Sequence, residues 1–268
     1  MKNVIDFVHL RHGRAESNQA QERSQQQGDH SLYTETFRKR HTSAHRLLPR
    51  GIQQAVSAGQ WLKQQKLVFQ RAYVSDYVRA METAGHLNLE NVRWVINTSL
   101  REREAGLLDP LAEHERQERF AEYIQQAIRS PFHWRPPAGE SIADVVNRLR
   151  ADLFQELKTL PEPGAILLVT HGRTMRALRA IVEDIPPWIY NERDRLPESS
   201  FANCQIVHYT KRDPQNPTHV SAHFDWVRTV IPWDLERLDS SWQRIERPVF
   251  SNQDLLALAD RIPRLIEE

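Results

Sequence analysis

Cysteine is almost absent from the 268-residue chain, Cys204 being the single one. An internal disulfide is therefore excluded, nothing points to an oxidising compartment, and a cytoplasmic location is the expectation. No stretch approaches the roughly 20 apolar residues of a membrane-spanning helix. Asp6 also interrupts the apolar run that a signal peptide would carry. A soluble chain that does not engage membranes is expected. Charge of one sign is not in excess either: 36 basic and 35 acidic residues leave a formal net charge of +1. Bulk charge thus argues against nucleic-acid partners, and any anion site has to be local. The chain also lacks a P-loop, an acidic metal cluster and an internal repeat, so no metal and no cofactor is expected.

What is present is an alternation of short apolar runs with longer segments of helical period, the pattern of βαβ units and a mainly parallel sheet. Strands are expected at Val4–Leu10, Ala72–Val74, Val92–Ile96, Ile166–Val169 and Gln205–Tyr209. Helices are expected at Gly51–Gln65, Val78–Leu89, Ile142–Leu157 and Thr174–Glu183. The turn residues Asp213-Pro214-Gln215-Asn216-Pro217 make a hairpin of Gln205–Tyr209 with Val220–Val227. The length fits one large α/β domain, residues 1–268, with a polar insertion at 19–46 and a C-terminal extension at 234–268. The insertion reads equally as a lid or as an inert surface excursion. Within the extension, Ser251-x-x-Asp254 starts an amphipathic tail helix that is disturbed near Pro263.

The residues with chemistry stand at strand ends. One strand runs into Arg11-His12-Gly13 and another into Thr170-His171-Gly172; a third ends at Ser75-Asp76 with Arg79 in the following helix. A fourth is followed by Leu100-Arg101-Glu102-Arg103. Ligands of parallel sheets bind outside the carboxyl ends of the strands, so two imidazoles, two guanidiniums and a carboxyl group are expected to converge there. Each type suits phosphoryl transfer. A neutral imidazole of His12 can attack phosphorus and split one displacement into two. Arg11 and Arg79 offer planar forks to phosphate oxygens, and a protonated His171 would add a donor. Glu102, kept protonated by a crowded or apolar setting, could protonate the leaving oxygen and then activate water. With side-chain cations stabilising the charge, such a reaction needs no metal.

In these residues the chain resembles the histidine phosphatase superfamily, also called the phosphoglycerate mutase-like family. The match runs in order through Leu10-Arg11-His12-Gly13 with Asn18, Pro49-Arg50-Gly51-x-x-Gln54-Ala55 and Ser75-Asp76-x-x-Arg79-Ala80-x-x-Thr83-Ala84. It continues through Leu100-x-Glu102-Arg103-x-x-Gly106, Pro137-Ala138-Gly139-Glu140-Ser141 and Val169-Thr170-His171-Gly172. The resemblance implies a three-layer α/β/α sandwich with His12 as phosphoacceptor and Arg11, Arg79 and His171 on the phosphoryl group. Glu102 would be the proton donor, with Asn18 and the backbone amide of Gly172 as further phosphate donors. Two departures, Arg14 where many members carry Glu or Gln and Ala138 in a common Gly-Gly-Glu-Ser stretch, bear on substrate choice.

The expected activity is metal-independent hydrolysis of phosphomonoesters through a phosphohistidine on His12, acting on a small phosphorylated substrate or a phosphoprotein. A phosphoglycerate-type mutase and a non-catalytic phospho-ligand binding protein are the alternatives; no arginine pair stands out as a mutase clamp. Elsewhere, His41 and His45 are spaced to share a helix face but lack a third metal ligand, and His219 with His223 reads the same way. Arg38, Lys39, Arg40 and Arg46 read as a solvated charged face rather than a steering patch. Arg173, Arg176, Trp134 and Arg135 fit either a substrate pocket or plain packing.

Overall fold

The first apolar run has no polar face to turn to water, so it belongs in the middle of a sheet covered on both sides. In the computed structural model, which describes residues 1–196, 199–237 and 241–266, it forms β1 (Val4–Arg11), buried along all but its last residue. The chain continues through α1 (Glu16–Gln27), α2 (Glu35–Lys39), α3 (Pro49–Gln64), β2 (Phe69–Val74), α4 (Val78–His86) and β3 (Trp94–Ile96). Next come α5 (Glu113–Arg129), α6 (Ile142–Ala151), α7 (Leu153–Lys158), β4 (Gly164–Thr170) and α8 (Gly172–Val182). It ends with α9 (Pro187–Asp194), β5 (Ile206–Thr210), β6 (Trp226–Val230), β7 (Gln243–Arg244) and α10 (Asn252–Ala259).

The strands form one sheet in the order β3-β2-β4-β1-β5-β6-β7. β3, β2, β4 and β1 run parallel, and β5, β6 and β7 extend the sheet antiparallel from β1, so the sheet is mixed. Alternate side chains point to opposite faces. Phe7, Ile166, Leu168 and Tyr209 pack against α6, α7 and α8; Val8, Leu10, Leu167 and Val169 pack against α3 and α4. This is the three-layer α/β/α sandwich. Because β2, β4 and β1 are neighbours, their carboxyl ends deliver Ser75, His171 and His12 side by side, about 4.8 Å apart from strand to strand.

Four expectations are corrected. The helix expected at Ile142–Leu157 is two helices, because Asp152 (φ −113°, ψ −82°) breaks the backbone while both pieces keep the same buried face. The hairpin partner of β5 is Trp226–Val230 instead of Val220–Val227; Val220 makes only an isolated bridge with Arg212 near the turn. The polar stretch 19–46 is largely helical, carrying most of α1, all of α2 and a 3-10 turn at Thr42–Ala44. His41 caps that turn and His45 follows it, so the two do not share a helix face. In the extension, the Ser251–Asp254 cap is formed as read, yet the helix it opens buries none of its residues. Residues 238–240 and 267–268 of the extension lie outside the described residues. No described helix is long and apolar enough to cross a membrane.

Glycine is required where the motif loops touch. A Cβ on Gly13 would lie 2.4 Å from the carbonyl oxygen of Gly51, and one on Gly51 would lie 2.1 Å from that of Arg14. The loop carrying His12 therefore rests directly on the first turn of α3. Its neighbours tie it down: the amide of Gly13 donates to Thr83 Oγ1 at 3.0 Å, and that of Arg14 to Gln54 Oε1 at 2.9 Å. Thr83 Oγ1 in turn donates to the carbonyl of Arg79 at 2.6 Å, which links the loop of His12 to the helix of Arg79.

Candidate active site

His12 leaves the end of β1 with its amide bonded to the carbonyl of Thr170, and it is 2% exposed. Its Nδ1 lies 2.7 Å from the carbonyl oxygen of Gly13. A carbonyl can only accept, so the ring proton sits on Nδ1 and Nε2 carries a lone pair. That lone pair accepts from Arg79 Nε at 3.1 Å. Burial first, then the charges of Arg79 and Arg11, hold the His12 imidazole well below its ordinary pKa and keep it neutral.

His171, fully buried, lies beside it with ring centroids 5.0 Å apart, the spacing expected of residues leaving adjacent strands. Its Nε2 is 2.9 Å from Ser75 Oγ, and its Nδ1 is buried without a partner. Burial and the Arg79 charge push its pKa well down. Tyr77 holds both groups: its ring meets His171 edge-on at 4.9 Å and supports the Arg79 guanidinium at 4.9 Å. Arg79 itself is buried, its Nη1 donates to the carbonyl of Thr42, and desolvation brings its pKa down to about 10. Arg11 donates through Nη1 to the carbonyl of Phe201 at 2.6 Å, while its Nε is buried without a partner.

The loop of Glu102 is fastened by three side chains. Thr170 Oγ1 donates to the carbonyl of Leu100 at 2.7 Å, Thr174 Oγ1 to that of Arg101 at 2.6 Å, and Arg148 spans the carbonyl of Arg101 and the carboxylate of Glu140. The Glu102 carboxyl group accepts from the amides of Arg103 (2.8 Å) and Arg173 (3.2 Å), the latter in the first turn of α8. Asn18 spends its Oδ1 on the amide of Ala15 (3.0 Å) and Nδ2 of Asn203 (3.2 Å), which leaves its own Nδ2 for the cleft it lines.

Arg11, His12, Asn18, Arg79 and Glu102 share one cleft of about 330 Å³; His171 lies behind them, and Gly172 packs under the Arg11 guanidinium. All seven expected residues thus converge. Of the undecided ones, Trp134 and Arg173 line the cleft, whereas Arg176 pairs with Asp194 and Arg135 with Asp144. Arg38 and Lys39 pair with Glu115 and Glu35, and Arg46 pairs with Glu82. The segment 19–46 covers the cleft through Gln21, Tyr33, Phe37 and His45. Sequence reasoning missed Tyr77 and Arg103 as cleft residues. For Tyr77 the signal was its place between a strand end and Arg79; for Arg103 it was its place in the Leu100-x-Glu102-Arg103 match, where it was given no role.

A sequence model of the histidine phosphatase superfamily (branch 1) matches residues 7–216. Among curated proteins, the 2,3-bisphosphoglycerate-dependent phosphoglycerate mutase of Xanthobacter autotrophicus is 32% identical over 146 residues, covering 53% of this chain and 70% of that protein. That of Azorhizobium caulinodans is 30% identical over 146 residues, covering 53% and 71%. Among solved structures, a mycobacterial glucosyl-3-phosphoglycerate phosphatase in complex with VO3 aligns with a TM-score of 0.59 at 25% identity, covering 77% of this chain and 92% of that one. The alpha-ribazole phosphatase of Shigella flexneri shares the fold, with a TM-score of 0.60 at 17% identity over 79% and 93% of the two chains.

Proposed function

The chain belongs to the histidine phosphatase superfamily, and from that premise we propose that it hydrolyses phosphomonoesters through a phosphohistidine formed on His12. The observation that carries this reading is the proton on Nδ1, which leaves the Nε2 lone pair facing the cleft groups Arg79 and Arg11. Substrate phosphate would draw the Arg79 fork onto its oxygens and release that lone pair for attack. Nε2 bonds to phosphorus, the bond from phosphorus to the ester oxygen breaks, and Glu102 gives that oxygen its proton. Water then attacks phosphorus, the Glu102 carboxylate takes its proton, the N–P bond breaks and phosphate leaves. The negative charge of bound phosphate favours protonation of His171, which the free site keeps neutral. Arg11, Arg79 and His171 carry the transition-state charge in this scheme, so it runs without a metal.

Hydrolysis rather than transfer is supported by a second cleft, about 640 Å³, that reaches Glu102 from the side of Asp76 and Ser99. It offers water a route to the carboxylate. The resemblance in sequence to phosphoglycerate mutases favours the second reading, in which the phosphoryl group returns to an acceptor alcohol. Glu102→Gln with p-nitrophenyl phosphate separates the steps. The good leaving group needs no acid, but dephosphorylation needs the base, so a burst of one nitrophenolate per site followed by a steady rate about 100-fold below wild type is expected. Chelator should alter neither phase. An unchanged steady rate would remove Glu102 from the reaction, and glycerate-dependent turnover would favour the mutase.

A further inference from the structure

The cover over the cleft brings a polar group of its own to the site. His45 follows the 3-10 turn Thr42–Ala44, lines the cleft together with Arg79, and is 4% exposed. The backbone on either side of it is fastened. Its amide donates to the carbonyl of Thr42 at 3.3 Å, the same carbonyl that Arg79 Nη1 reaches. The carbonyl of Arg46 accepts from the amide of Glu16 at 3.0 Å, and the amide of Leu47 donates to the Glu82 carboxylate at 2.7 Å. The ring lies over that of Phe37, with centroids 4.4 Å and planes 30° apart, and Phe37 packs against the buried Ala20 and Tyr33 of the cover.

Packing thus fixes the ring, while its nitrogens are left over. Neither has a partner at hydrogen-bond geometry, and the Arg40 backbone touches the ring only weakly. Other buried histidines are treated differently: His12 meets the Gly13 carbonyl and Arg79, His171 meets Ser75, and His208 meets Asp6 at 2.9 Å. Among the described buried histidines only His9 shares the lack, and it is enclosed in the core by Phe7 and Tyr209. Buried polar groups left without partners are costly, and one that faces a cleft can be satisfied by what enters it. Burial and the charges of Arg79 and Arg40 outweigh that of Glu16 and hold the His45 imidazole below its ordinary pKa, so the free site carries a neutral ring. An anionic oxygen beside it would supply the missing acceptor and favour the charged form. Phosphate has a further effect on the cover. Drawing the Arg79 fork onto its oxygens breaks the bond from Arg79 Nη1 to Thr42, which ties the turn to the site.

We infer that His45 is a substrate-binding residue supplied by the cover: as the phosphoryl group takes Arg79 from the Thr42 carbonyl, His45 donates to a phosphoryl oxygen and keeps the turn over the occupied site. The inference deepens the phosphatase reading and rests on it for the placement of the phosphoryl group.

Inorganic phosphate tests it without requiring turnover. Calorimetric Kd values and ligand-free Tm values would be measured on the full chain for wild type, His45→Phe and His45→Gln. Phenylalanine keeps a ring on Phe37 and removes two nitrogens that have no partner to lose, so the ligand-free Tm should stay within about 4 °C of wild type. Phosphate should nevertheless bind this variant at least about tenfold more weakly, the scale of one charge-assisted hydrogen bond. Glutamine keeps a donor, and His45→Gln should bind phosphate more tightly than His45→Phe. A loss under about threefold in His45→Phe would overturn the inference. So would a ligand-free Tm lowered by more than about 4 °C in both variants, because the ring nitrogens would then serve the fold. Wild-type affinity reports the phosphate cage separately: if wild type and His45→Phe bind phosphate alike, this inference alone falls, whereas failure of wild type to bind it overturns the phosphatase reading as well.

Discussion

His12→Ala is expected to lower kcat for phosphomonoesters by roughly 10⁴-fold or more, the scale on which removal of a covalent nucleophile acts. The loss should fall on kcat rather than on phosphate affinity, because Arg11, Arg79 and Asn18 remain around the vacated position. His12 is packed among buried neighbours, and the substitution removes the ring's bonds to the Gly13 carbonyl and Arg79 Nε, but the bonds of its backbone remain: its amide meets Thr170, and its carbonyl accepts from Asn203 Nδ2 at 3.0 Å. The variant should therefore fold, and removing a neutral ring that burial prevents from charging should not lower stability in acid. Steady-state kinetics with p-nitrophenyl phosphate, beside phosphate titration of the same variant, checks both halves. Retained turnover would assign the nucleophile elsewhere.

Arg79→Gln should cost roughly 10²- to 10³-fold in kcat/KM, as loss of a preorganised charge does, and should also move the pH profile. Burial, Arg79 and Arg11 together depress the His12 pKa. A depressed imidazole stays neutral, and so nucleophilic, as pH falls below its ordinary value of 6.5. Removing the Arg79 cation lifts part of that depression, so His12 becomes protonated at a higher pH. The acid limb of kcat/KM against pH should accordingly shift upward in the variant, while the plateau drops. A merely structural role for Arg79 would lower the plateau and leave the limb in place. The carbonyl of Thr42, which Arg79 Nη1 now satisfies, is the point where the variant would also loosen the cover over the cleft.

The meeting of Arg11, His12, Arg79, Glu102 and His171 was legible in the sequence because strand ends are. Once β1, β2 and β4 are neighbours, the residues after Leu10, Val74 and Val169 have to meet, and the Gly13 and Gly51 contact fixes how closely. The cover was not legible. α1 buries only Ala20 and Ser24 and is polar all round, so its stability comes from distant partners: Ser24 Oγ accepts from the amide of Glu113 at 2.8 Å, and Gln25 Nε2 donates to the Glu113 carboxylate at 3.1 Å. Helical period carries no trace of such contacts. α5 stayed hidden for the same reason, with none of its residues buried. The hairpin register failed because turn chemistry marks where a chain reverses, and Asp213–Pro217 lies nine residues before the strand that pairs. Arg103 reads in sequence as one more charged residue beside Glu102; its burial, with an Nε that finds no acceptor, shows only in the structure.

The phosphohistidine is tested most directly by trapping it. Full-length protein mixed with p-nitrophenyl phosphate and chelator would be quenched in alkali within the first turnovers and its peptides mapped by mass spectrometry. The account predicts acid-labile phosphate on the peptide that contains His12, absent from His12→Ala and accumulating in Glu102→Gln. Steady turnover with no phosphorylated His12, or phosphate on another residue, would contradict it.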